Sequence, residues 1–262
     1  MEILSFLIIV SLSLLQMSGF LGHSEMDKNL RKKNKLTILT YNVHLCVGVD
    51  NKTDYQRVSD IITRINPQVV ALQELDSATQ RSNGSSTLNE LATRTNMYPV
   101  FGPYFEYEGG KYGIGILSKE KPIKWESIPI PGRIENRLLI VELEDYIICC
   151  THFSGIQVAK LKSVEILNGL FKECLKPVFF AGDLNSVPGS EVINSINTRW
   201  IMLNNPSVPT YPSYNPQKCI DYIFALKDSL HTFRINQNIV EKEQVASDHS
   251  PVWVEVIIDE KK

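Results

Sequence analysis

The chain has 262 residues, enough for one large α/β or α+β domain, and its 43% hydrophobic and 21% charged content is that of an ordinary globular protein, which excludes a disordered or low-complexity chain. The formal net charge is −2 and would rise to near zero without residues 1–25, which carry Glu2 and Glu25 but no Lys or Arg, so no broad electrostatic footprint for nucleic acid is present and such a partner is disfavoured. Five cysteines, at 46, 149, 150, 174 and 219, fit neither a disulfide framework nor a zinc spacing, and Cys149-Cys150 reads as a buried small pair rather than a redox couple.

In chain order, the apolar run ILSFLIIVSLSLL (3–15) is short for a bilayer span and is followed by Gln16, Ser18, Gly19 and Gly22, the pattern of a secretory signal over 1–25. Export is therefore expected, to a periplasm or the medium. An uncleaved N-terminal membrane anchor is the alternative, because Glu2 stands where a basic residue is usual. Residues 26–35 read as a basic, solvated linker, and 36–262 as one domain with no internal repeat. LTILTYN (36–42) predicts a first strand. Asp54 then caps an amphipathic helix with Tyr55, Val58, Ile61, Ile62 and Ile65 on one face, stopped by Asn66-Pro67. VVALQE (69–74) predicts a buried strand, and a weaker helix is expected over 86–96. Apolar runs at 113–118, 138–143, 146–151, 178–182, 220–226 and 251–257 predict further strands, with Glu144-Asp145 as a tight hairpin connection. Helical spacing covers 157–174 and 189–197. So many strands mixed with helices favour two sheets packed face to face with helices outside, over a doubly wound parallel sheet.

Six of these segments end in chemistry: Asn42, Glu74, His152, Asp183 with Asn185, Asp221, and Asp248-His249. Strand ends that bring carboxylates, amides and imidazoles to one sheet edge suit a metal-assisted hydrolytic site. Glu74 closes an apolar strand, where its carboxylate could hold a hard divalent cation, though a strand-end Glu alone more often begins a solvent loop. Asp183 and Asn185, two apart after Gly182, could activate a water and donate to a phosphoryl oxygen; an Asx-type turn is the bland alternative. Asp221 could orient the imidazole of His249, and His152 could protonate a leaving oxygen. Among basic residues, Arg137 ranks ahead of Arg81 and Arg133 for holding a phosphate oxygen, with surface ion pairs as the competing explanation.

The ordered set TYN, QE, THF, GDLN, IDYI and SDHSP resembles the endonuclease/exonuclease/phosphatase superfamily, the deoxyribonuclease I-like proteins, over roughly residues 36–257. The resemblance implies an α+β fold, a four-layer α/β/β/α sandwich of two mixed sheets. It implies Mg²⁺ or Mn²⁺ at Glu74, with Asn42 and Asp248 adjoining the metal, and water aligned by Asp183. Asn185 would hold the phosphoryl group, His249 paired with Asp221 would stabilise the transition state, and His152 would assist the leaving group. His152 resembles the nuclease I and sphingomyelinase branches more than the apurinic endonucleases, and His44 departs from the acid those carry. Small exported members linked with lipid phosphodiester processing look most similar. The expectation is a monomeric, metal-dependent phosphodiesterase acting on a small or lipid-linked diester at a membrane or in solution. A secreted nuclease, a sugar- or inositol-phosphate phosphatase, and an inactive binding protein of the same fold stand behind it.

Overall fold

The computed structural model describes residues 35–261, so the proposed leader and all of the proposed linker but Lys35 lie outside the described residues. In chain order the elements are β1 (Lys35–Asn42), α1 (Tyr55–Ile65), β2 (Val69–Ser77), α2 (Thr87–Thr95), β3 (Tyr98–Tyr107), β4 (Gly110–Ser118), β5 (Lys124–Ile130), β6 (Asn136–Glu142), β7 (Ile147–His152), α3 (Gln157–Gly169), β8 (Val178–Asp183), α4 (Glu191–Asn197), β9 (Trp200–Met202), β10 (Asp221–Leu226), β11 (His231–Val240) and β12 (Val252–Glu260). They form two six-stranded mixed sheets, ordered β11-β12-β1-β2-β4-β3 and β5-β6-β7-β8-β10-β9. Each sheet has one central parallel pair joined through a helix, β1-α1-β2 in the first and β7-α3-β8 in the second, flanked by antiparallel strands. The two halves thus repeat one topology, and each delivers the C-terminal ends of its parallel pair to an edge, where ligands collect in open sheets.

Three apolar clusters define four layers. Ile38, Ile116, Leu139, Ile148, Cys150 and Ile223 fill the space between the sheets. Val58, Ile61 and Ile62 of α1 bury against Leu39 and Leu72 on one outer face, and Val164, Leu167 and Ile193 of α3 and α4 against Phe180 and Phe224 on the other. α1 starts where the Asp54 side chain accepts from the Arg57 amide at 2.9 Å and stops where Asn66 turns left-handed at φ 56° before Pro67, as its sequence dictates. Both adjacent cysteines are fully buried free thiols, Cys149 facing the helices and Cys150 the other sheet, with burial pushing the Cys150 thiol up to about 12. That is the chemistry of packing, not redox.

Strands β3, β5, β9 and β11 have no counterpart in the sequence expectation, and several boundaries differ from it. The helix expected over 157–174 ends at Gly169, and Phe171 sits at φ 59°; Leu170 and Phe171 still pack on the outer core, so their apolar spacing outlasts the helix. β2 continues past Glu74 to Ser77 instead of ending there. Among the described residues, no helix is long and apolar enough to cross a membrane.

Candidate active site

Strand register aligns the polar residues before any side chain is considered. In the second sheet, His152 of β7 pairs with Asp183 of β8, and Asp183 pairs with Asp221 of β10, so three adjacent strands present a row of His, Asp, Asp. In the first sheet, Asn42 of β1 pairs with Gln73. Between Leu72 and Leu75 the β2–β4 register slips by one residue, and within this bulge Glu74 adopts φ 59°. A bulge re-aims a side chain and a left-handed Glu is strained, so the carboxylate is turned out of the pleat to meet Asn42. Gly182 serves the same assembly: a Cβ there would lie 2.0 Å from the Thr151 carbonyl oxygen of β7.

Asn42 is the hub. It is fully buried, and its Oδ1 accepts from the His44 amide at 3.1 Å, which fixes the amide orientation and sends Nδ2 inward. Nδ2 donates to Glu74 Oε1 at 2.9 Å and to Asp183 Oδ2 at 3.2 Å, joining a carboxylate from each sheet; His249 Nε2 lies 3.4 Å away. Because the side-chain Oδ1 of Asn42 is committed to His44, this residue meets the cluster through its NH₂ group, and the backbone from His44 to Cys46 turns left-handed around that bond.

His249 and Asp221 form a buried pair. Nδ1 of His249 lies 3.0 and 3.1 Å from the two oxygens of Asp221, and Thr210 Oγ1 donates to Asp221 Oδ2 at 2.5 Å. Burial alone would lower the imidazole pKa, but the charge and hydrogen bond of Asp221, then Asp183 and Asp248, outweigh it and raise it to about 10. His249 is accordingly an imidazolium at neutral pH, with Nε2 3.7 Å from Asp183 Oδ2. Ser247 ties this loop to β1, donating to the Asn42 carbonyl at 2.7 Å and accepting from the His249 amide at 3.2 Å.

Asp183 is 2% exposed, and desolvation above all raises its pKa, the charge of Asp221 adding to this while His152 and His249 oppose it. Its Oδ1 accepts from the Asn185 amide at 2.8 Å, so the Asx turn weighed as a bland alternative is present, yet it uses only one oxygen. Oδ2 is left for Asn42 and for His152 Nε2 at 3.3 Å. Asn185, at φ 46°, donates through Nδ2 to the Phe153 carbonyl at 3.0 Å and lies 3.1 Å from His152 Nε2. The backbone of His152 is held by Asn136 Nδ2 at 2.7 Å and by Tyr104 Oη at 3.1 Å.

The remaining expected residues lie around this core. Asp248 is half-buried, with Oδ1 3.4 Å from Ser247 Oγ and 3.9 Å from His44 Nδ1. Arg137 pairs with Glu135 at 3.1 Å and stays outside the hydrogen-bonded cluster. Arg81 clamps the buried Asp76 at 2.6 and 2.8 Å and lies over the Tyr107 ring. Arg133 lines a cavity of about 430 Å³ beside His152 and Asn185, with Tyr104, Tyr112 and Ile156. Sequence reasoning missed Thr210, Asn136, Tyr104 and Tyr211, whose ring lies 4.8 Å from that of His249. Only Thr210 and Tyr211 carried a signal, as polar residues in the loop leading to the IDYI strand.

The donor set suits a hard divalent cation. Asp183, Asp221 and Asp248 surround the His249 imidazolium, and Glu74 joins Asp183 through the Asn42 amide. Asp183, Asp221 and His249 offer atoms within 4.8 Å of one another, but both oxygens of Asp221 are taken by His249 and Thr210. A cation there would break that pair, whereas Glu74 Oε2 and Asp248 Oδ2 are oxygen donors with no protein partner among the described residues.

The family model described as Endonuclease/Exonuclease/phosphatase family matches residues 39–249. No curated protein sequence matches the chain. Among solved structures, an endonuclease/exonuclease/phosphatase from Beutenbergia cavernae is similar at a TM-score of 0.71 and 20% identity, over 86% of this chain and 72% of that one. A mannosyl-6-phosphatase of Bacteroides thetaiotaomicron is similar at 0.68 and 14%, over 85% and 99%. TDP2 of D. rerio, complexed with a single-strand DNA product, is similar at 0.66 and 18%, over 85% and 98%.

Proposed function

The chain belongs to the endonuclease/exonuclease/phosphatase family of phosphoester hydrolases, and on that footing we propose that it is a divalent-metal-dependent phosphodiesterase acting on a small or lipid-linked diester. The observation that carries this reading is the Asn42 hub, which brings Glu74 of one sheet and Asp183 of the other onto a single amide beside the His249 imidazolium. Asp183, held by Asn42 and flanked by two imidazoles, is placed to take a proton from the attacking water. His249, kept charged by Asp221, would stabilise charge developing on the phosphoryl oxygens, joined by the NH₂ group of Asn185 once it turns from the Phe153 carbonyl toward substrate. His152 would return a proton to the leaving oxygen. A Mg²⁺ or Mn²⁺ ion held by Glu74 and Asp248 would supply Lewis-acid polarisation of the phosphoryl oxygen when bound.

Charge favours a diester over a monoester. Four carboxylates converge here, and Arg133 is the one arginine that lines the adjoining cavity; a monoanionic diester meets less repulsion there than a dianionic monoester. The test is hydrolysis of bis-p-nitrophenyl phosphate against p-nitrophenyl phosphate, with Mg²⁺, Mn²⁺ or EDTA. Cleavage of the diester, abolished by EDTA, is expected. Preference for the monoester would establish the phosphatase reading instead, and a steep loss of diesterase activity on nucleic acid with rising salt would establish the nuclease. Export and a monomeric state complete the proposal, checked by the N-terminus of the secreted protein and by its sedimentation.

The role given to Glu74 is tested without turnover. Calorimetric titration of Mg²⁺ into the protein should show one site that Glu74→Gln weakens at least ten-fold, since the substitution keeps shape and removes charge. Unaltered Mg²⁺ affinity in the variant would move the cation to other ligands.

A further inference from the structure

Beyond the hydrolytic cluster, Asn185 borders a second cavity of about 330 Å³ on the side away from His152, lined by Lys160, Lys218, Ser186, Ser190, Tyr211 and Gln157 among others, with no carboxylate in its wall. Two features mark it as built for a ligand. Lys160, only 7% exposed, is a buried cation whose Nζ makes one hydrogen bond among the described residues, to the Asn185 carbonyl at 2.6 Å. An ammonium has three N–H groups, so two are left to donate. Ser186, 5% exposed, has a buried Oγ with no partner among the described residues. A buried cation and an orphaned hydroxyl each carry a cost that a native fold ordinarily removes by pairing. Burial lowers the Lys160 pKa, an effect the charge of Asp183 opposes in part. Lys218, exposed at the mouth, adds a second positive charge.

We infer that this cavity is an anion subsite, taking a second phosphate or carboxylate group of the same substrate whose scissile diester lies at Asn185. Lys160 Nζ and Ser186 Oγ would donate to it and Lys218 would screen it at the mouth, as charge-assisted hydrogen bonds hold phosphate elsewhere. The inference rests on the phosphodiesterase reading for the position of the scissile group. It narrows the substrate to diesters that carry an adjacent anionic group, whether on a nucleotide or on a phosphorylated headgroup. It also places an attraction for substrate one group away from a reacting centre ringed by acids, on the side opposite Arg133.

The test compares the p-nitrophenyl ester of thymidine 5′-phosphate with the same ester bearing a 3′-phosphate, and the equivalent pair built on glycerol. The wild-type enzyme is expected to show a KM at least about ten-fold lower for the doubly anionic member of one pair, the scale of one charge-assisted hydrogen bond. Preference confined to the thymidine pair assigns the subsite to nucleotides, and confined to the glycerol pair to headgroups. In Lys218→Gln, and separately in Ser186→Ala, the ratio of the two KM values should collapse toward one; Lys160→Met is less clean because it also releases the Asn185 carbonyl. Equal KM values in the wild type, or a ratio untouched by both variants, overturns the subsite. If none of the esters is cleaved, the phosphodiesterase reading fails, and the subsite is decided by calorimetry in EDTA. Thymidine 3′,5′-bisphosphate or glycerol bisphosphate should then bind at least about ten-fold tighter than the matching monophosphate, with the difference lost in Lys218→Gln, and the subsite is rejected only by equal binding in both pairs.

Discussion

Asp183→Asn is expected to reduce diester hydrolysis by about 10²–10⁴-fold, the range for loss of a positioned general base, while leaving the metal-free protein within about 1 kcal/mol of its original stability. Asp183 sits almost fully buried between His152 and His249, with Asn42 donating to the same oxygen. Its raised pKa means that the fold disfavours the ionised side chain, mostly by desolvation. A neutral amide of the same shape removes a charge the metal-free fold bears at a cost and can still accept from the Asn185 amide through its carbonyl, and this relief offsets the loss of the bond from Asn42, whose NH₂ would face another NH₂. The amide cannot take a proton from water. Activity and stability should thus separate: kinetics with Mg²⁺ collapse while urea denaturation in EDTA barely moves. A variant that unfolds at much lower urea, or one that keeps its turnover, would show that Asp183 is structural.

Much of this site was legible because strand ends are legible. An apolar run that terminates in Asp, Glu, Asn or His places that residue at a sheet edge, and two parallel pairs in one sandwich bring their edges together. Asn42, His152 and Asp183 end β1, β7 and β8 by that rule, Asn185 follows two residues on, and Asp221 and His249 stand just before apolar runs, at the start of β10 and ahead of β12. Glu74 obeyed it for a different reason. Its strand continues to Ser77, and the bulge with its left-handed backbone, not the end of the strand, turns the carboxylate toward the site. A one-residue register slip between strands far apart in sequence leaves no periodic trace. Thr210 and Tyr211 come from a loop whose position is set by pairing with the His249 loop, as where the Ser250 amide donates to the Thr210 carbonyl at 2.8 Å. The missed strands have physical causes too. β3 carries Pro99, Gly102 and Pro103, which read as turn, and β11 is a mostly exposed edge whose polar residues hide the alternation of a strand.

Asp221→Ala should destabilise the protein by about 3–5 kcal/mol at neutral pH, the usual result of leaving one member of a buried ion pair alone, and should lower hydrolysis about as far as Asp183→Asn. The pH dependence identifies the cause. In the wild type the His249 pKa stands at about 10 against an ordinary 6.5. A folded-state pKa raised in this way contributes stability that is fully present below pH 6.5 and is lost as the pH rises through 10. Wild-type stability in EDTA should therefore decline across that window. In the variant the imidazole has lost its main charge partner, so its part of that decline should flatten and the two stability curves should approach each other toward pH 10. Thr210 sharpens the comparison, because its hydroxyl donates to Asp221 and loses the same partner at every pH. That loss sets a pH-independent offset, and the convergence above it belongs to His249. A constant gap from pH 6.5 to 10 would mean that Asp221 orients the ring without holding its proton, and His249 would then act on the phosphoryl group as a neutral donor rather than as a charge.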